Sequence, residues 1–426
     1  MMTMNRRSFL AASGSAALTT SLLSACASRP AGGEMGHVVV VGGGYGGNTA
    51  AKYLRLWSEG KIAVTLVEPN PMFISCPMSN LVIGGSRRLE EISVSYEGLR
   101  KLGVRVVQAS VTAIDSDKRK VRLDSGEEIA YDRCVVSPGI GFMNDQIAGL
   151  DKAGDVAPHA WKAGAQTVLL RKQLEAMPDG GVVAIAMPKA PYRCPPGPYE
   201  RLCQIGNYLK TNKPKSKVIL LDGNDDVQSK KGLFTKVWKD MYAGTVEYRN
   251  NNLVTEIDVA NRTLVTELGD RIKADVLNVI PPQRAGDIAK SAGLITANNR
   301  WCGVDWLSME SLAVKNVHVL GDATLSAPLM PKSGHMANQH AKVAAAAIVE
   351  IQSGRAPIAD PMMANTCYSY VDDKLVVHVA SVHRYDAEKK TMVTVQGSGG
   401  LSKEPNALEG SYAWGWAQTI WADMLT

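Results

Sequence analysis

Gly42, Gly44 and Gly47 stand at G-x-G-x-x-G spacing in Gly42-Gly43-Gly44-Tyr45-Gly46-Gly47, a pattern whose chemistry is the binding of a pyrophosphate. Gly42 permits a tight turn, Gly44 lets the backbone approach the phosphates, and Gly47 allows close helix–strand packing. The β-branched run His37-Val38-Val39-Val40-Val41 leads into this turn, and a helical stretch over 48–59 leads out of it. The helix N-terminus would offer unpaired N–H groups to an anion. A second strand over 62–67 ends in Glu68, about 20 residues on, where a carboxylate can accept hydrogen bonds from ribose hydroxyls. These residues do not distinguish FAD from NAD.

The other reactive groups are thiols. The chain has seven cysteines and no C-x-x-C or C-x-x-C-H, which disfavours a disulfide framework, a zinc ribbon and covalent haem on this chain. Each cysteine is therefore judged by its neighbours. Cys134 lies in a Val-rich strand and reads as structural; Cys203 falls in an apparent helix over 199–208 and reads as a small hydrophobe. Cys302 follows Trp301 in a loop and receives no role. Cys76, Cys194 and Cys367 sit in unusual contexts: beside Pro77, inside a proline-rich turn, and in Asn365-Thr366-Cys367-Tyr368-Ser369. His335 and His340 are five apart, on different helical faces, so no metal site is expected.

Several elements must position these groups. Val317-His318-Val319-Leu320-Gly321-Asp322-Ala323 is a second apolar strand, ending in Gly-Asp and followed by Pro331-Lys332-Ser333-Gly334 and a helical 337–351. Between the two glycine-containing strands, 182–186 and 218–221 read as strands of another half, the latter ending in Asp222. Where a nicotinamide site would place glycines, this half has Met187-Pro188-Lys189-Ala190-Pro191-Tyr192-Arg193-Cys194-Pro195-Pro196-Gly197-Pro198. Proline supplies no N–H to a pyrophosphate, so NAD is not expected there. After Pro361, alternating segments over 374–382 and 391–396 predict a hairpin, and a Trp-rich tail follows. A core or partner-facing role is expected for that tail.

Composition agrees with a globular α/β chain: 426 residues, 45% hydrophobic, 21% charged and 39 Gly exclude disorder and collagen-like repeats. A formal net charge of +6 with no run of five basic residues argues against a nucleic-acid partner. Asn5-Arg6-Arg7-Ser8-Phe9-Leu10 and the weakly apolar 11–23 read as a twin-arginine export signal, too short and too dilute for a transmembrane span. Ala25-Cys26-Ala27 fits a cleavage site, and Leu23-Ser24-Ala25-Cys26 fits a lipobox with Cys26 as a candidate lipid anchor. The expected location is the periplasm.

At superfamily level the two glycine-containing strands, with Tyr131-Asp132-Arg133-Cys134-Val135-Val136-Ser137-Pro138-Gly139 between them, resemble flavoproteins with two dinucleotide-binding domains. The resemblance implies that Gly321 and Asp322 meet the FAD ribityl and pyrophosphate, and that Lys332 stands where it could stabilise reduced flavin. Pro191-Tyr192-Arg193-Cys194-Pro195-Pro196-Gly197-Pro198-Tyr199-Glu200 and Phe73-Ile74-Ser75-Cys76-Pro77-Met78-Ser79-Asn80 more closely resemble the flavoprotein subunit of flavocytochrome c sulfide dehydrogenase, as does the Cys367 segment. That resemblance implies FAD joined covalently through Cys76 and a redox-active disulfide between Cys194 and Cys367, with Cys203 as the rival partner on sequence alone. It also implies sulfide as substrate and a separate c-type cytochrome subunit as the carrier of haem c. Attack of HS⁻ on a disulfide leaves a persulfide and a thiolate. Relatives that reduce quinones share parts of these motifs. A sulfide:quinone reductase, or an accessory thiol–disulfide flavoprotein of a thiosulfate-oxidising system, are the other readings.

The expected fold class is α/β: two Rossmann-like dinucleotide-binding domains, the FAD domain split in sequence and the second lacking a nucleotide-binding glycine loop, plus a C-terminal α+β domain. The expected boundaries are 1–35 for signal and leader, 36–150 and 281–355 for the two parts of the FAD domain, 151–280 for the second domain, and 356–426 for the C-terminal domain.

Overall fold

A computed structural model describes residues 34–426. The expected export signal at Arg6 and Arg7 and the candidate anchor at Cys26 lie outside the described residues.

The run His37–Val41 is buried at every position, as a central parallel strand covered on both faces must be. It pairs in parallel with Ala63–Val67 on one side and Arg133–Val136 on the other. Arg105–Val107 and Val317–Val319 complete a five-stranded parallel sheet. Strands from far apart in sequence thus share one sheet, and both Gly42 and Gly321 lie just past C-terminal strand ends, the edge where open α/β sheets bind ligands.

A second parallel sheet runs Val246–Arg249, Lys217–Asp222, Val182–Met187, Val276–Val279. Its first crossover is the proline-rich turn followed by the helix Gly197–Asn212. The third layer begins with Met362–Tyr370, which pairs antiparallel with the long strand Val376–Asp386. Thr391–Thr394 and Gly400–Leu401 pair with that same strand. The expected hairpin is therefore present, its first strand running on to Asp386 and its second ending at Thr394, and it has a preceding strand, the one that carries Cys367, which its polar Asn-Thr-Cys composition concealed. The Trp-rich tail is a helix, Ala407–Leu425. Its Trp421 indole donates to the Tyr45 hydroxyl at 3.2 Å, and Asp423 accepts from Tyr53 at 2.5 Å and from Asn338 at 2.8 Å. The tail thereby clamps Tyr45–Trp57 and Gly334–Gln352, the helices that start beside the two glycine turns. Among the described residues no helix is long and apolar enough to cross a membrane.

Candidate active site

One cavity of about 850 Å³ collects Gly42, Gly44, Glu68, Cys76, Cys194, Gly321, Asp322 and Cys367 along its wall. The glycine turn closes as its spacing predicts. Gly42 has φ +97°, and a Cβ on Gly47 would sit 1.7 Å from the Gly42 carbonyl oxygen, so Gly47 serves the packing of helix on strand and does not face the cavity. Gly44 is the reverse case: a Cβ there would meet nothing within 4 Å, an open cradle at the start of the helix Tyr45–Trp57, whose first N–H groups have no intrahelical acceptor. Glu68 accepts from the Gly43 N–H at 2.6 Å and from the Asn70 N–H at 2.9 Å. It fixes the turn as well as facing the cavity.

Asp322 is the clearest sign of a missing polar partner. Its Oδ1 is buried with no hydrogen bond, and burial raises its pKa, opposed by Arg193 and Lys332. A hydroxyl-bearing ligand at this wall would satisfy it. A second helix, Gly334–Gln352, points its N-terminus at the cavity, where Ser333, Gly334 and His335 are exposed to it. The residues therefore fit a dinucleotide that spans from Gly44 to this helix. Lys332 departs from expectation. Its ammonium turns from the cavity to the carbonyls of Asp322 and Thr324 and lies 3.8 Å over the Trp301 ring. Its contribution to the site is its own carbonyl, which accepts from the Cys194 N–H at 2.8 Å.

Cys194 occupies the left-handed region at φ +58°, a conformation that costs a non-glycine residue about 1–2 kcal/mol. The Lys332 carbonyl on its N–H and the Gly197 N–H on its carbonyl, also at 2.8 Å, hold it there. Cys367 sits mid-strand, with its thiol donating to Asn365 at 3.7 Å. Both cysteines are half-buried. Burial pushes both thiols up. Cys203 does not line the cavity; it is fully buried and accepts from the Trp238 indole at 3.3 Å, which removes it as a rival partner. Cys76 is half-buried at the cavity wall, and its sulfur accepts from the Ala163 N–H at 3.4 Å.

Two charged residues that sequence reasoning passed over belong to the site. Glu200 lines the cavity one turn into the helix after Cys194. Burial pushes its carboxyl up to about 7, against the Tyr370 N–H at 2.9 Å and the Asn80 amide at 2.9 Å. The only local signal is a carboxylate on the buried face of that helix, six residues past the thiol. The other is Arg193, whose guanidinium lies against the Trp161 carbonyl and near Cys76.

In the second sheet, the space at the strand ends is filled by side chains. Tyr192, Tyr199, Tyr248 and Trp238 cluster around Asp222, with Tyr199 and Trp238 ring centroids 6.1 Å apart.

A dinucleotide cradle in a cavity also lined by two cysteines remote in sequence, on two parallel sheets, defines the class: the FAD-dependent oxidoreductases related to the pyridine nucleotide-disulfide enzymes. The solved sulfide:quinone oxidoreductase of Aquifex aeolicus superposes with TM-score 0.70 over 91% of each chain at 20% identity, a likeness of fold. Residues 167–281 match the family model described as the central part of the sulfide dehydrogenase [flavocytochrome c] flavoprotein chain, and 359–425 match the flavocytochrome c sulphide dehydrogenase flavin-binding model. The chain is 60% identical over 45 residues to the sulfide dehydrogenase [flavocytochrome c] flavoprotein chain of Chlorobaculum thiosulfatiphilum, covering 11% of this chain and 92% of that sequence. It is 25% identical over 298 residues to the mitochondrial sulfide:quinone oxidoreductase of Dictyostelium discoideum, covering 67% of this chain and 65% of that one. The chain belongs to the family of flavocytochrome c sulfide dehydrogenase flavoprotein chains.

Proposed function

We propose that this chain is an exported FAD enzyme that oxidises sulfide through a Cys194–Cys367 disulfide and passes the electrons to a separate c-type cytochrome. The observation that carries the reading is the convergence of Cys194 and Cys367, remote in sequence, on the cavity that also holds Cys76, Gly44 and Asp322. In the oxidised pair, HS⁻ attacks one sulfur, the S–S bond breaks, and a persulfide and a thiolate result, with charge conserved. Bound FAD supplies a two-electron acceptor that can release electrons singly. Gly44 and the N-terminus of the helix after it would hold its pyrophosphate, Asp322 would accept hydrogen bonds from its ribityl hydroxyls, and Cys76 would tether it. Glu200, whose carboxyl is pushed up to about 7, holds or takes the proton exchanged at the thiols. Export by the twin-arginine route, with Cys26 as a candidate lipid anchor, would place this chemistry in the periplasm.

A second reading keeps the sulfide chemistry and changes the acceptor to a quinone; the 25% identity to mitochondrial sulfide:quinone oxidoreductase over 67% of this chain favours it. Anaerobic addition of sulfide to the purified protein should bleach the flavin, and Cys194→Ala and Cys367→Ala should each retain FAD and fail to bleach. A Cys367→Ala protein with wild-type bleaching overturns the thiol mechanism. Faster reoxidation by ferricytochrome c than by a short-chain quinone supports the first acceptor, and the reverse order supports the second.

A further inference from the structure

Lys230 is a buried cation that the sulfide chemistry has so far left idle. It precedes the helix Lys231–Met241, adopts φ +56° and is 6% exposed. Its ammonium crosses to the C-terminal sheet and donates to the Cys367 carbonyl at 2.7 Å, the Ser369 hydroxyl at 2.8 Å and the Val377 carbonyl at 3.1 Å. All three acceptors are neutral. A buried ammonium held only by neutral oxygens carries a desolvation cost that a nearby anion relieves.

We propose that Lys230 is the positioning residue that places the thiolate of the cysteine pair on Cys367. The inference rests on the sulfide-oxidising reading for its role in turnover. The groups facing Cys367 come from every element packed there. Glu200 stands on the helix Gly197–Asn212, Cys194 on the turn before it, and His335 on the helix Gly334–Gln352, accepting from the Thr366 N–H at 3.0 Å. Glu200, and more weakly Glu409 of the helix Ala407–Leu425, act on Lys230 electrostatically. Burial pushes His335 down to about 4, so it brings no charge at neutral pH. Burial pushes Cys367 up, and Lys230 is the first force that opposes it; at Cys194 the ammonium ranks behind Arg193. The sulfur that departs fastest from a disulfide is the one with the lower thiol pKa. HS⁻ therefore attacks Cys194, the S–S bond breaks, Cys194 carries the persulfide, and the electron pair of the broken bond leaves on Cys367 beside the ammonium.

The test is the pH dependence of alkylation in the dithiothreitol-reduced holoprotein, each cysteine quantified by peptide mass mapping after a short iodoacetamide pulse. Wild-type protein should label Cys367 faster than Cys194 at pH 7. Lys230→Met should slow Cys367 labelling about tenfold at that pH, equivalent to one unit of midpoint, while Lys230→Arg restores most of the rate. Cys194 labelling first in the wild type, or an unchanged Cys367 midpoint in a folded Lys230→Met protein, overturns the proposal. If Lys230→Met does not fold, a wild-type order with Cys194 first still overturns the proposal, and the Cys367 midpoint in Lys230→Gln supplies the variant comparison. No sulfide enters the measurement, so failure of sulfide to reduce the flavin would count against the proposed function and leave this assignment standing.

Discussion

The Tyr199 hydroxyl donates to the Asp222 carboxylate at 2.8 Å, and the same oxygen takes a second hydrogen bond from Tyr248 at 3.0 Å. An acid in this place, at the end of the second strand of a Rossmann-like half, ordinarily waits for a ribose. Here its lone pairs are occupied by the protein. NADH should consequently fail to reduce the flavin at rates near those of sulfide in stopped-flow experiments. Tyr199→Phe should lower stability by about 1–3 kcal/mol in urea unfolding, because Asp222 and the Gln228 N–H both lose a partner, and it should not create NADH activity.

Cys76 stands half-buried at the cavity wall. Acid-denatured wild-type protein should keep its yellow colour through gel filtration, and Cys76→Ala should release the flavin into the small-molecule fraction. Release of all flavin from the wild type would exclude the thioether.

The Asn80 amide bridges two buried ionisable groups, donating to Glu200 at 2.9 Å and accepting from Arg201 at 3.1 Å. Replacing it by alanine strips a partner from each. A loss of about 3 kcal/mol is expected, readable as a fall in the urea midpoint with unchanged slope, whereas Asn80→Asp should leave Arg201 paired and set a second carboxylate against Glu200.

Glu200 is pushed up to about 7 by burial, from an ordinary 4.5. The folded chain holds a proton there that the unfolded chain releases, so this group's stabilising contribution is complete below about pH 4.5 and is lost as pH rises through about 7. Glu200→Gln should flatten the stability profile between those values. Chemical denaturation at a series of pH values measures this without substrate ionisation entering. A variant profile parallel to the wild type would refute the assignment.

What the sequence disclosed follows a physical rule. Turn chemistry is local, so the roles of Gly42, Gly44 and Gly47 could be read from six residues, and the structural readings of Cys134 and Cys203 followed from the apolar elements around them. Glu200 and Lys230 were not legible because their partners, Tyr370 and Cys367 among them, arrive from the other end of the chain. The expectation that Lys332 could face a reduced flavin rests on its place before a helix, but chain position does not fix where a long side chain points, and here its ammonium binds two carbonyls and lies over the Trp301 ring. The Trp-rich tail mixes glycine and aromatic residues evenly around the helix, so no single apolar stripe announced Ala407–Leu425.

That tail has a consequence for the order of assembly. Tyr45 opens the helix beside the Gly44 cradle, and its hydroxyl is held by Ser75 at 2.6 Å and by the indole of Trp421, 376 positions after Tyr45 in the chain. A ribosome delivers this tryptophan after every strand of both parallel sheets. The brace between Trp421 and Tyr45 consequently cannot form before both sheets have been made, and a polypeptide cut short before Trp421 would present a formed sheet with a less firmly braced socket.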